Sequence, residues 1–158
     1  MTIDIERMEV LGLNVSDVPA AGELFARLFG LRFTNLLLGG PDLQPEGVPL
    51  PAGELTKDPN SVASGGPVPV AMEPTGTLQL VQTPEGMPTN TVRNIHFKVS
   101  GIDAAIAEMQ AHGIGVMGNI RVGGVREVIF NPEDLFGVRI CFVEYDGPSM
   151  LEAMLDPS

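Results

Sequence analysis

The sequence predicts an α+β fold in which two tandem βαβββ modules form a curved mixed sheet, with an open cleft on one side and helices outside. The main observation is an internal repeat: the letters VSDVPAA at 15–21 correspond to VSGIDAA at 99–105, 84 residues on (99 − 15). An alternating, strand-like pattern precedes each copy, and helical periodicity follows it. One module is too small to bury its own sheet, so the two must share a core or a cleft.

The first module is predicted over residues 8–82. Met8–Val15 alternates as a strand, Asp17 is a suitable helix N-cap, and Gly30 is a suitable helix end. Further strands are predicted at 31–38, 68–72 and 77–81. The loop between them, residues 39–67, contains six prolines and six glycines, a composition typical of lids, binding loops or disordered segments.

The second module is predicted over residues 92–144. Its opening strand, Val92–Val99, has one apolar row and one polar row, and Ser100 with Asp103 resembles a helix capping box. The helix should end at Gly113, and Gly123–Gly124 predicts a hairpin between strands at 114–122 and 125–130. A last strand is expected at 138–143, and a C-terminal tail, 145–158, with a short helix over 148–155.

Composition limits the classes of function and the number of domains. A chain of 158 residues with 44% hydrophobic residues is long enough for a single globular domain. The net charge of −11 argues against nucleic-acid and anionic-membrane partners, which favour basic surfaces. One cysteine cannot form an internal disulfide, and no segment is apolar enough to span a membrane. We therefore expect a cytoplasmic protein with a small-molecule ligand, either monomeric or homodimeric.

Two segments carry a resemblance to a known family. The letters NPEDLFGVRICFVE at 131–144 resemble the last hairpin of the methylmalonyl-CoA epimerase-like branch of the vicinal oxygen chelate superfamily. VLGLNVSDVPAAGELFARLFGLRF at 10–33 is similar to the opening strand and helix of that branch. Glyoxalase I, extradiol dioxygenases and bleomycin-resistance proteins share this superfamily. The resemblance covers nearly the whole chain and implies chemistry in the cleft of the curved sheet.

The resemblance also implies a metal, but this chain has different residue types at most of the family's ligand positions. The four ligands of the epimerase-like branch fall on Val10, Gln79, Asn94 and Cys141, and only Gln79 matches. Valine cannot bind a metal, and two amides with one thiolate make a poor zinc site. We therefore expect no metal and no cofactor. A minority alternative is a degenerate metal site that uses Gln79 and His96 with Glu9 or Glu144.

Strand alternation predicts which side chains the cleft contains, provided that no bulge intervenes. His96, Lys98 and Arg139 are the candidate catalytic residues, with His96 as acid or base and the two cations stabilising an anion. We expect Lys98 to lower the pKa of His96. Alternation leaves the faces of Arg121, Arg126 and Glu127 open and places Glu144 on the outer face. The candidate substrate-binding residues are Asn14, Gln79, Asn94 and Cys141.

Two functional hypotheses follow, with a third as a minority. The first is a metal-independent isomerase, epimerase or lyase that transfers a proton on a small carbonyl compound. The second is a non-catalytic protein that sequesters a small molecule, and the net charge of −11 would suit a cationic drug. The third is a degenerate metal-dependent lyase or dioxygenase.

Overall fold

The computed structural model describes residues 2–38, 44–45, 68–75, 77–83 and 88–156. Most of the predicted loop 39–67 lies outside these residues, as does any role for it as a lid. The elements in chain order are β1 (Ile5–Val15), α1 (Val18–Phe29), β2 (Thr34–Leu38), β3 (Gln44–Pro45), β4 (Val68–Met72), β5 (Leu78–Gln82), β6 (Thr91–Val99), α2 (Ile102–Ala111), β7 (Val116–Val122), β8 (Val125–Phe130), a 3₁₀ turn (Pro132–Leu135), β9 (Ile140–Glu144) and α3 (Met150–Leu155).

The strands form one mixed sheet in the order β2-β4-β5-β1-β6-β9-β8-β7-β3. The opening strands β1 and β6 pair antiparallel at its centre, and each pairs in parallel with the closing strand of its own module. This arrangement confirms the predicted pair of βαβββ modules. α1 begins at Val18 and α2 at Ile102, which are again 84 residues apart (102 − 18).

Chain length requires the sheet to be curved. Leu38 of β2 and Gln44 of β3 are six residues apart (44 − 38), a span of at most about 22 Å. These two strands lie at opposite ends of the sheet order, and eight flat strand spacings would separate them by about 38 Å. The sheet therefore curls into a half-barrel, as predicted, which gives it a concave inner face.

The two longer helices cover the outer, convex face. Asp17 caps α1 by accepting a hydrogen bond from the Ala20 N–H at 2.9 Å, and Gly30 ends it with φ 69°. Leu13 packs in the cluster under α1. Phe97, Ile140 and Phe142 pack in the cluster under α2, as alternation predicts.

The predicted capping box of α2 is wrong. The N-cap is Gly101, and the Ser100 hydroxyl donates instead to Glu6 at 2.8 Å. The carboxylate of Glu144 accepts from the N–H groups of Gly101 and Ile102, at 2.8 and 3.0 Å. An anion from the neighbouring strand therefore satisfies the start of this helix. Glu144 lies on the outer face, as expected.

Several strand ends differ from the predicted ones. β2 begins at Thr34 rather than residue 31, and β9 begins at Ile140 rather than residue 138. The Val138 N–H donates to the Leu135 carbonyl at 3.0 Å, so this backbone belongs to the turn and not to the sheet. α3 begins at Met150 rather than residue 148 because Ser149 caps it. Among the described residues, no helix is long and apolar enough to cross a membrane.

The C-terminal tail lies on the concave face. Met150, Leu151, Ala153 and Met154 of α3 are buried in one cluster with Tyr145 and the inward valines of both modules, including Val10, Val81 and Val143. This helix therefore fills an apolar part of the half-barrel with the chain's own side chains. The ligand cleft is correspondingly smaller than the open cleft that the module pattern predicts.

Gly123 allows the β7–β8 hairpin to approach α3. Its φ is +56°, and a Cβ atom there would lie 2.3 Å from the Met154 carbonyl oxygen. The adjacent Gly124 N–H donates to the Ala153 carbonyl at 2.7 Å. The glycine pair is needed for this contact as well as for the turn.

We predict that Gly123→Ala costs more stability than Gly113→Ala. Gly113 also has a positive φ, +79°, but its Cβ would meet nothing within 4 Å. Both changes force an L side chain into the left-handed region, at about 1–2 kcal/mol, and Gly123→Ala adds about 1–3 kcal/mol of overpacking against α3. Urea unfolding measures both free energies. Equal losses would contradict the docked position of α3.

Candidate active site

Six of the seven predicted cleft residues are buried together on the concave face. Parallel pairing places His96 beside Cys141, and Gly12 is paired with both Gln79 and Asn94. The Asn94 side-chain amide donates to the Cys141 sulfur at 3.8 Å. All of these side chains are at most 7% exposed: Asn14, Gln79, Asn94, His96, Arg139 and Cys141.

Glu127 of β8 joins this group and is the partner of His96. His96 Nε2 lies 3.0 Å from Glu127 Oε1. The Cys141 sulfur lies within 4.8 Å of a ring nitrogen of His96 and of a carboxylate oxygen of Glu127. Alternation left the face of Glu127 undecided, since apolar residues lie on both faces of β8. The structure decides it: Val128 packs under α2, so Glu127 faces inward.

The pair stabilises its own charges. Burial alone would lower the pKa of His96 from its ordinary 6.5, but the negative charge of Glu127 and the nearby Cys141 outweigh burial and raise that pKa to about 10. Burial would raise the pKa of Glu127, yet the charge of His96 brings it below the ordinary 4.5. At neutral pH the pair is therefore an imidazolium and a carboxylate.

The structure does not bring Lys98 to His96, so the expected lowering of the His96 pKa is wrong. The ammonium of Lys98 lies 3.1 Å from a Glu6 carboxylate oxygen and 4.5 Å from the centre of the Tyr145 ring. Lys98 shares the inward row of β6 with His96, as predicted. Its ammonium group, however, is held by Glu6 and Tyr145 near the C-terminal end of the strand. Alternation fixes a face and not a partner.

Arg93 is a cleft residue that alternation missed. The pairing of β1 with β6 shifts between Gly12 and Leu13, and Arg93 is the residue left unpaired. This bulge turns Arg93 inward together with Asn94, since an extra residue interrupts the strict alternation of a strand. The guanidinium is 8% exposed and donates to Asn14 Oδ1 at 3.1 Å. No pattern in the sequence marks the bulge.

Two adjacent cavities open on this group. The inner one has a volume of about 30 Å³ and is lined by His96, Glu127 and Gln79, among others. The outer one, of about 480 Å³, lies at the start of β6 and is lined by segments that include Pro88, Pro132 and Val138. Arg93, Asn94 and Arg139 line both cavities and form their boundary.

Both guanidinium groups are charged. Burial lowers the pKa of Arg93 and of Arg139 from its ordinary value, but a guanidinium group in a protein stays protonated at neutral pH. Among the described residues, the inner cavity is thus lined by three cations, Arg93, His96 and Arg139, and one carboxylate, Glu127.

The metal site of the resembling family does not fit this chain. Val10, at the first ligand position, is 1% exposed and packs in the apolar cluster with α3. Glu9, the candidate for a shifted site, is bound by Arg7 at 2.7 Å and by the Tyr145 hydroxyl at 2.5 Å. A register shift between Met8 and Val10 accounts for its burial, which regular alternation did not predict. A different cluster, His96, Glu127 and Cys141, has ligand atoms within 4.8 Å of one another.

No protein-family model matches this sequence, and no curated protein shows significant sequence similarity to it. Solved structures do match. A variant of Streptomyces coelicolor methylmalonyl-CoA epimerase, in complex with 2-nitronate-propionyl-CoA, has 19% identity and a TM-score of 0.63 over 94% of this chain and 99% of that one. A methylmalonyl-CoA epimerase in complex with methylmalonyl-CoA and NH4+ gives 19% identity and 0.62 over 92% and 99%.

The epimerase from Mycobacterium tuberculosis gives 18% identity and a TM-score of 0.58 over 93% of each chain. These proteins belong to the vicinal oxygen chelate superfamily, which the sequence resemblance indicated. The structural comparison thus confirms that this chain has the fold of that superfamily.

Proposed function

We propose that this protein is an isomerase-type enzyme that moves a proton on a small carbonyl compound, with protein side chains rather than a metal stabilising the enolate. The observation that carries the proposal is the buried His96–Glu127 pair, which lines a cavity bounded by two arginines. An acid and a base with pKa values pushed apart by their environment are typical of proton-transfer sites. The fold shared with epimerases supports the same class of reaction.

In this proposal Glu127 is the base. Its carboxylate takes the proton from the carbon next to the substrate carbonyl, and the C–H electron pair forms the C=C bond of an enolate. The negative charge then develops on the carbonyl oxygen, where the His96 imidazolium donates a hydrogen bond. Glu127 then returns this proton. Delivery to the same face of the carbon regenerates the substrate, whereas delivery to the opposite face after the enolate has turned, or to a neighbouring atom, gives the isomer.

His96 Nδ1 is the ring nitrogen available for that hydrogen bond. Nε2 is used by Glu127, whereas the buried Nδ1 makes no hydrogen bond to any residue that the structure describes. A buried polar group without a partner is costly, so a substrate oxygen at Nδ1 would be favourable. Lys98 has no role in this step because Glu6 and Tyr145 hold its ammonium.

The cavity volumes fit a substrate whose carbonyl oxygen enters the inner cavity and whose remaining atoms occupy the outer cavity. An inner cavity of about 30 Å³ holds roughly one small polar group, the size of a water molecule. The outer cavity of about 480 Å³ is within the usual range for small-molecule sites and would hold the rest of the compound. Simple sequestration of a cationic drug is disfavoured, because the described charges at the inner cavity are mainly positive.

A metal-dependent lyase or dioxygenase remains the second candidate, since His96, Glu127 and Cys141 are residue types that bind zinc or iron. The two buried arginines beside this cluster count against a cation there. Metal analysis of protein purified without chelator or affinity metal tests this candidate. Stoichiometric zinc, iron, manganese or cobalt would favour it.

Stability should fall as the pH rises from about 6.5 to about 10. In this range the folded protein keeps the His96 proton and the unfolded chain loses it, so unfolding releases a proton and becomes easier at higher pH. Urea unfolding across this range measures the slope. In Glu127→Gln the cause of the raised pKa is removed, so the slope attributable to His96 should disappear. Equal slopes in both proteins would contradict the ion pair.

Glu127→Gln and His96→Asn should each greatly slow proton transfer. We expect losses of about 10²–10⁴-fold, the usual contribution of general acid–base groups. Deuterium exchange next to the carbonyl, followed by NMR in D2O with a panel of short oxo acids such as 2-oxobutyrate, measures the step without knowledge of the product. His112→Asn is the matched control, because this exposed histidine pairs only with Glu108 among the described residues.

Two outcomes would contradict the proposal. Exchange that disappears with a chelator and returns with a metal would favour the metal-dependent candidate. Binding of the panel without exchange would favour sequestration.

A further inference from the structure

We infer that Arg93 and Arg139 form an anion subsite that takes a small organic carboxylate, with the carboxylate at the two guanidinium groups and an apolar body in the outer cavity. The inference rests on the proposed function in one respect: it names the class of substrate for the same cleft. Its binding component can be tested without any turnover.

The described charged residues that line the outer cavity are both basic. Arg93 and Arg139 are the only charged residues among the described ones that line it. The chain has nine lysines and arginines in total against twenty acidic residues, so two buried cations at one cavity depart from the overall charge. A pocket of this sign attracts anions and repels cations.

Both arginines are buried at the cavities. Arg93 and Arg139 are 8% and 7% exposed, so their guanidinium groups lie within the site and not on the open surface. Within the described part of the chain, Glu127 is the single carboxylate that lines the inner cavity. The described lining of the two cavities is therefore mainly basic, which favours an anion over a cation as the bound group.

The backbone holds the two arginines on adjacent segments that line the same cavities. The Ile95 N–H donates to the Arg139 carbonyl at 3.0 Å, which fixes Arg139 against the strand that carries Arg93. The Arg93 guanidinium is oriented by its bond to Asn14 Oδ1. Planar guanidinium groups match the two oxygens of a carboxylate, and both residues reach the boundary of the cavities.

The walls of the outer cavity indicate the rest of the ligand. Pro88, Val92, Pro132 and Val138 contribute apolar surface, and Val92 and Val138 are 59% and 42% exposed. Apolar surface beside buried cations fits a ligand with one anionic end and a short hydrocarbon body. Inorganic anions would leave these walls in contact with water.

The experiment compares three probes on the full-length protein by isothermal titration calorimetry: butyrate, its neutral isostere butyramide, and inorganic phosphate. Butyrate should bind, and butyramide should bind at least about tenfold more weakly, because hydrogen bonds to charged groups are the stronger ones. Phosphate should bind more weakly than butyrate, since it cannot use the apolar walls.

Arg93→Gln and Arg139→Gln should each weaken butyrate binding by about tenfold or more and reduce the preference over butyramide. Arg27→Gln, on the exposed side of α1, removes the same charge away from the cleft and should change neither. The comparison among probes on the unsubstituted protein stands even if a variant fails to fold.

Equal affinity for butyrate and butyramide would overturn the anion subsite, and so would unchanged butyrate binding in both folded arginine variants. Tighter binding of phosphate than of butyrate would overturn the assignment to a carboxylate. Butyrate binding that depends on both arginines, without deuterium exchange on any oxo acid, would uphold this inference while the proposed function fails.

Discussion

The buried ion pair between His96 and Glu127 is the interaction on which the cleft depends. Two charges removed from water are costly, and only a short, well-formed contact compensates for much of that cost. At 3.0 Å the pair keeps His96 protonated and Glu127 ionised, beside Arg93 and Arg139, which line the same inner cavity. Without Glu127 the site would have three basic groups and no described carboxylate, and His96 would lose its proton.

The C-terminal helix explains why this cleft differs from an open half-barrel. α3 covers the inward valines, among them Val10 at the first ligand position of the resembling family. That position has therefore become part of an apolar core, and the polar residues share the remaining concave surface. The concave face thus has two parts. α3 covers the apolar part, and the polar part opens through the outer cavity.

The sequence predicted the fold from two patterns. The repeat shows that the chain contains two similar modules, and the alternation within each strand is a local pattern that tertiary contacts mostly left intact. The same alternation placed Asn94, His96 and Cys141 on one face correctly. It failed at two bulges, which turned Arg93 inward and buried Glu9 against Tyr145. Alternation also could not supply partners, because the contacts of Glu127 with His96 and of Lys98 with Glu6 join segments that are distant in the sequence.

The protonation state of His96 tests the central claim most directly. Nitrogen-15 NMR of the imidazole ring distinguishes a doubly protonated ring from either neutral tautomer, and His112→Asn removes the second histidine signal. The account predicts two protonated ring nitrogens at pH 7.5 and a titration midpoint near pH 10. A neutral ring at pH 7.5 would contradict it, because the cleft would then lack the imidazolium that is proposed to stabilise the enolate.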